Sequence, residues 1–204
     1  LEDMLERLEI SFERERRFTS DAAHELRTPL NALQVQGEYA ISCSDPEEKD
    51  EAVAKMLDKS EEMRQLIEHL LTIARLDAGQ IPLEDQIDLR ELLSTIIEDM
   101  EPVAQERGMQ IHAALNEADV QGHRALLTRA AVNLIDNAIR YGRENGDIHI
   151  RLTREDGYAV IRVQDNGTGI PEEALPHVFE RFWRGDQART TPGTGIGLAL
   201  VLAA

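Results

Sequence analysis

Apolar residues recur every three or four positions through most of the first 77 residues, and that spacing dictates two long amphipathic helices. Leu5, Leu8, Phe12, Ala22, Leu26, Leu30 and Leu33 form the first seam, with Glu15 and Thr19 as its polar steps. At about 100° per residue these positions lie along one stripe of an α-helix. Ser42-Cys43-Ser44-Asp45-Pro46 breaks the pattern. It also restarts it, because Asp45 is an N-cap residue and Pro46 sits at the first helical position, where no N–H is needed. The second seam runs through Val53, Met56, Met63, Ile67, Leu70 and Ala74, with Ser60 as its polar step. Two such helices joined by a short break form a hairpin. Stripes this long cannot cover one another completely, so a homodimer closing a four-helix bundle is expected.

Ala78-Gly79-Gln80-Ile81-Pro82 ends the seam, and beyond it strands and helices alternate. Ile87 to Leu89 reads as a short strand, Arg90 to Arg107 as a helix, Met109 to Leu115 as an alternating strand and Ala125 to Tyr141 as a helix. Ile148 to Thr153 and Ala159 to Gln164 flank the turn Glu155-Asp156-Gly157 and make a hairpin. The fold class is therefore α+β: a helical hairpin over residues 1–78, a linker at 79–86 and an α/β sandwich over 87–204. There are no internal repeats.

Charge narrows the choice of partners. With 39 acidic and 22 basic residues the chain carries a formal net charge of −17, which repels nucleic acid backbones and anionic membranes. An anionic ligand must therefore be met by a metal ion or by locally placed donors. The single cysteine, Cys43, excludes an internal disulfide and a cysteine-rich metal site. No stretch approaches the roughly 18 consecutive apolar residues of a membrane span. The first seam opens without a cap ahead of it, so an upstream helix or domain is expected.

His24 lies nearly opposite the centre of the sector occupied by Ala22, Leu26, Leu30 and Leu33, so it faces water. Thr28 shares that exposed face and Glu25 sits on its flank. Pro29 cannot offer an N–H to the carbonyl of Glu25, and a bend is expected there. An exposed imidazole beside a carboxylate is a reasonable nucleophile toward phosphorus: one ring nitrogen attacks while the carboxylate holds a proton on the other. The string His24-Glu25-Leu26-Arg27-Thr28-Pro29-Leu30 resembles, over its whole length, the phosphoacceptor box of sensor histidine kinases. The resemblance implies that His24 is the phosphoacceptor, Glu25 its general base or tautomer-fixing partner, and Thr28 the residue that positions water for dephosphorylating a partner. Arg27 is left as structural or partner-facing.

Three further boxes lie in the second half. Asn133, Asn137 and Arg140 stand at i, i+4 and i+7 of a helix that ends at Tyr141, so they form one stripe of two amides and a guanidinium. Oxygen donors suit magnesium, and a guanidinium suits phosphate. Asp165-Asn166-Gly167-Thr168-Gly169 follows a strand, where a carboxylate can accept from the exocyclic amine of adenine and glycines let backbone approach a flat base. Gly193-Thr194-Gly195-Ile196-Gly197-Leu198 leads into an apolar helical run and offers free N–H groups to phosphates. It is neither a Walker loop nor a Rossmann turn. The aromatic stretch Phe179 to Trp183 before a polar segment reads as a hinged lid or, equally, as a small satellite core.

In this order and spacing the boxes resemble the ATP-binding domain shared by histidine kinases, type II topoisomerases and heat-shock chaperones. The resemblance implies that Asn137 is the Mg2+ ligand and Asp165 the adenine reader. Asn133, Arg140 and Tyr141 flank the nucleotide, Gly167 and Gly169 shape the base pocket, and Gly195, Gly197 and Leu198 cover the phosphates. Arg181 or Arg184 reaches the γ-phosphate, a choice left open. In the family the last box opens a full helix and a closing strand, whereas this chain stops at Ala204, so a truncated C-terminal end is expected. The implied activity is autophosphorylation of His24 from Mg-ATP, then transfer to an aspartate on a response regulator receiver domain, with phosphatase activity toward that regulator. The implied setting is the cytoplasmic portion of a bacterial inner-membrane protein, with no nucleic acid partner and any membrane contact made through segments outside this chain. The alternative is a nucleotide-gated dimeric interaction module without phosphoryl transfer.

Overall fold

The computed structural model describes residues 2–77, 85–183, 185 and 195–203. The chain divides into two compact units, Leu1–Ala74 and Arg75–Ala204.

The first unit is helical. Helix α1 spans Glu2–Ser42 and α2 spans Pro46–Asp77. As expected of an N-cap, Asp45 Oδ1 accepts from the N–H of Glu47 at 2.9 Å and from that of Glu48 at 3.5 Å. The chain reverses over residues 43–45. A Cβ added to Gly37 would lie 3.4 Å from Met56 Cε, so the two helices approach closely there, and the Tyr39 hydroxyl donates to Glu48 Oε2 at 2.5 Å. Ala40, Ala52 and Leu66 are buried, whereas the seam residues Leu30, Val53 and Ile67 remain exposed in the single chain. Among the described residues no helix is long and apolar enough to cross a membrane.

The second unit places helices on a sheet. Strand β1 (Asp85–Asp88) leads directly into α3 (Leu89–Glu106), which is followed by β2 (Gln110–Leu115), β3 (Asp119–Gly122) and α4 (Arg124–Tyr141). Then come β4 (Asp147–Glu155), β5 (Tyr158–Gln164), a 3-10 turn at Leu175–His177 and α5 (Gly197–Ala203). Strands β2, β4 and β5 form one sheet, with β2 parallel to β4 and β4 antiparallel to β5. The parallel pair requires a crossover, which β3 and α4 supply. Strand β3, which the sequence pattern does not announce, pairs antiparallel with β1 as a separate two-stranded sheet. Residues 79–84 of the expected linker lie outside the described residues, and 85–86 already belong to β1.

Local chemistry explains these elements. Asp88 caps α3, accepting from the N–H of Arg90 at 2.9 Å and of Glu91 at 3.1 Å. Leu89, the last residue of the expected strand, is therefore the first of the helix. The β4–β5 hairpin turns on two residues with positive φ, Asp156 (50°) and Gly157 (85°), the pairing a type I′ turn requires. Alternation along β4 points Ile148, Ile150 and Leu152 into a core shared with Leu92, Leu93 and Ile96 of α3 and with Ala131, Ile135 and Ile139 of α4. Each fully buried Ile or Leu there stabilises by about 1.5–3 kcal/mol.

Candidate functional site

On α1, His24 and Thr28 are exposed and Glu25 is half-buried. The Thr28 hydroxyl donates to the His24 carbonyl at 3.4 Å, a one-turn bond within the helix. Pro29 lies inside α1, which continues through it to Ser42. The exposed imidazole therefore sits on an uninterrupted helix with its flanking carboxylate one residue on.

In the second unit the remaining boxes meet at α4. Asn133 Nδ2 donates to the Gly197 carbonyl at 3.2 Å, drawing the second glycine box onto the start of the stripe. Gly197 tolerates little more, since a Cβ would lie 3.2 Å from Asn133 Oδ1. Asn137, half-buried, comes one turn later. The Arg140 guanidinium is held by Asp136, Nε to Oδ2 at 2.6 Å, which fixes its direction along the helix. Tyr141 ends α4 and is exposed.

The first glycine box closes on that end. The Gly167 N–H donates to Asp165 Oδ1 at 2.7 Å, which holds the exposed carboxylate just past β5. A Cβ on Gly167 would lie 2.1 Å from the Tyr141 carbonyl oxygen, so only glycine fits against α4 here. Gly169, at φ 72°, is exposed. The second box is pinned as well: the Gly195 carbonyl accepts from the Phe182 N–H at 3.0 Å, and Gly195 at φ 67° has no room for a Cβ against Phe182 and Trp183. Phe182 itself adopts φ 64°, an outlier for a bulky residue. Leu198 is half-buried in the first turn of α5, Arg181 is exposed, and Arg184 lies outside the described residues, as does the segment 186–194.

Residues 14–79 match the family described as His Kinase A (phospho-acceptor) domain, and residues 122–204 match the family described as histidine kinase-, DNA gyrase B-, and HSP90-like ATPase. The chain is similar to the mycobacterial sensor histidine kinase MprB, whose solved structure aligns at 30% identity and a TM-score of 0.52 over 58% of this chain and 75% of that one. The chain belongs to the sensor histidine kinases. This histidine kinase is also similar to the sensor protein QseC of Salmonella typhi, at 38% identity over 206 residues that cover 98% of this chain and 44% of that protein. It thus spans less than half the length of the curated relatives it matches. The structure of the Acinetobacter baumannii histidine kinase AdeS aligns at 25% identity and a TM-score of 0.69, covering 88% of this chain and 84% of that one.

The phospho-acceptor match contains His24, Glu25 and Thr28, and the ATPase match contains every residue named around α4. Among the described residues no three His, Cys, Asp or Glu side chains are grouped to hold a metal ion. A hard cation at this histidine kinase's stripe would rely on the Asn137 amide oxygen, with phosphate oxygens and water completing its shell, a donor set that fits Mg2+. Sequence reasoning passed over Asp136, although its i, i+4 spacing to Arg140 announces the ion pair. It had no means to find the bond from Asn133 to Gly197, which spans 64 residues.

Proposed function

We propose that this chain transfers the γ-phosphoryl group of Mg-ATP to His24 and that the phosphoryl group then passes to an aspartate on a response regulator receiver domain. The observation that carries the reading is the bond from Asn133 to Gly197: it folds two sequence-remote boxes onto one stripe of α4, in a chain that also presents an exposed histidine within a phospho-acceptor match.

Asn133 and Arg140 flank the phosphates, and Asp165 accepts from the adenine amine with its remaining carboxylate capacity. Magnesium at Asn137 supplies neutralisation of the phosphate charge when bound. The unprotonated ring nitrogen of His24 attacks the γ-phosphorus, the bond to the β,γ-bridging oxygen breaks, and ADP leaves with that electron pair. Glu25 takes the proton from the other ring nitrogen as positive charge builds on the imidazole. Thr28, once its hydroxyl leaves the His24 carbonyl, orients a water toward a phosphoaspartate on the regulator. A second copy of the chain covers the exposed apolar faces of α1 and α2. The full-length protein is a membrane sensor with this core on the cytoplasmic side.

Incubation with γ-labelled ATP followed by acid and base treatment tests the reading. Label that is acid-labile and base-stable is expected, as phosphohistidine requires. Tight nucleotide binding with no such label would replace this reading with that of a nucleotide-gated interaction module.

A further inference from the structure

The last four carbonyls of a helix have no partner within it, and they carry the negative end of its dipole. At the end of α4 the Ala138 carbonyl accepts from the Gly142 N–H at 2.9 Å. The next two carbonyls, of Ile139 and Arg140, both accept from Nη1 of Arg107, the latter at 3.0 Å. Arg107 is the C-cap of α3, and its own carbonyl accepts from the Asn145 N–H at 3.1 Å. One half-buried residue therefore holds both the last turn of α4 and the loop that leaves it. That turn follows Asn137 and carries Arg140 and Tyr141, and Gly167 presses on it at the Tyr141 carbonyl.

We propose that Arg107 is a positioning residue for the nucleotide site. By capping α4 it fixes the backbone of the turn from which Arg140, aimed along the helix by Asp136, meets the phosphates, without touching the nucleotide itself. Its charge matters as well as its hydrogen bonds, because a cation there offsets the helix dipole beside the phosphate-facing turn. The inference rests on the reading of α4 as the nucleotide stripe. It adds a requirement which that reading does not contain: the cap acts on the phosphate end of the ligand and leaves the base end alone.

The test compares binding of Mg-ATP and of adenosine to the full chain, by calorimetry and by NMR shift titration, in Arg107→Gln, Arg107→Lys, Arg140→Ala and the double variant Arg107→Gln/Arg140→Ala. Arg107→Gln is expected to weaken Mg-ATP about ten-fold while adenosine stays within about two-fold, and Arg107→Lys to recover most of the loss. In the Arg140→Ala background the added loss is expected to fall below about two-fold, since the group being positioned is gone. Equal weakening of Mg-ATP and adenosine, or full additivity with Arg140→Ala, would reduce Arg107 to a structural cap and overturn the proposal. So would wild-type Mg-ATP affinity in Arg107→Gln. Should that variant fail to fold, Arg107→Lys carries the same comparison, with a smaller loss expected for Mg-ATP alone and an equal loss in both ligands overturning the idea. If Arg140→Ala leaves Mg-ATP affinity unchanged, the reading of the stripe fails and this inference with it. If Arg140→Ala weakens Mg-ATP and Arg107→Gln does not, only the inference fails.

Discussion

In the ATP-binding unit Leu93, Ile135, Ile148, Ile150 and Leu152 have 0% of their surface exposed, whereas in the helical unit Leu57, Leu71 and Val35 keep 68%, 54% and 61%. The ATP-binding unit has a sheet to cover and two helices to cover it, so the inward-facing apolar residues of β4, α3 and α4 find partners within one chain. The helical unit is a pair of rods, and each rod can bury one side against the other. On α2 the exposed apolar residues Val53, Leu57, Ile67 and Leu71 stand at i, i+4, i+14 and i+18, which places them along a single face. Among the described residues, one unit closes a buried core within a single chain. The other presents an apolar face, which the proposed second copy would cover.

Chemistry divides along the same line, and the largest expected effects test that division. His24→Gln is expected to abolish labelling from γ-labelled ATP and to leave nucleotide affinity intact. Asn137→Ala is expected to remove both Mg-ATP binding and labelling. Filter assays and calorimetry on the two variants check this reciprocity, and full labelling of His24→Gln would move the acceptor to another histidine.

Stability should separate the units next. Ile150→Ala, in a side chain with 0% exposure, is expected to destabilise the ATP-binding unit by about 3 kcal/mol. Urea midpoints for that transition should not depend on protein concentration; a midpoint that shifts with concentration would contradict a self-sufficient core. Leu57→Asp should do the reverse. It is expected to raise the dimer dissociation constant by about 30-fold, roughly 2 kcal/mol, as read by sedimentation, while leaving the ATP-binding unit's transition in place.

Smaller effects come from matched features of the two units. Asp45 and Asp88 cap α2 and α3 in the same way, so Asp45→Ala and Asp88→Ala should each lose about 1 kcal/mol. Only the first loss is expected to vary with protein concentration. The smallest effect is electrostatic. Hydrogen bonds from Arg64 hold the Glu61 carboxyl down at about 2, and those from Arg162 hold Glu155 at about 2. Both folded values lie below the unfolded ones, so each pair's contribution is present above the ordinary carboxylate range and is lost as pH falls through about 2. Both pairs are exposed, and the stability involved is slight. The clearer readout is an NMR titration in which Arg162→Gln returns Glu155 toward its ordinary value while Glu61 stays low.

The sequence by itself determined what is periodic or local. The two long helices, the Asp45-Pro46 start, the exposure of His24 and Thr28 and the type I′ hairpin all follow from spacing and single-residue chemistry, because helix phase and turn geometry are set within a few residues. The phosphoacceptor string and the order of the glycine boxes carried the family for the same reason. Strand β3 escaped, since the four residues Asp119–Gly122 hold a single large apolar side chain, Val120, too short a pattern to mark a strand until β1 offers them a partner. The parallel pairing of β2 with β4, the meeting of Asn133 with Gly197 and the reach of Arg107 across 33 residues to the end of α4 were decided by tertiary structure alone. Each depends on which surfaces meet once the core closes, and no local spacing encodes the direction in which a carbonyl or an amide then points.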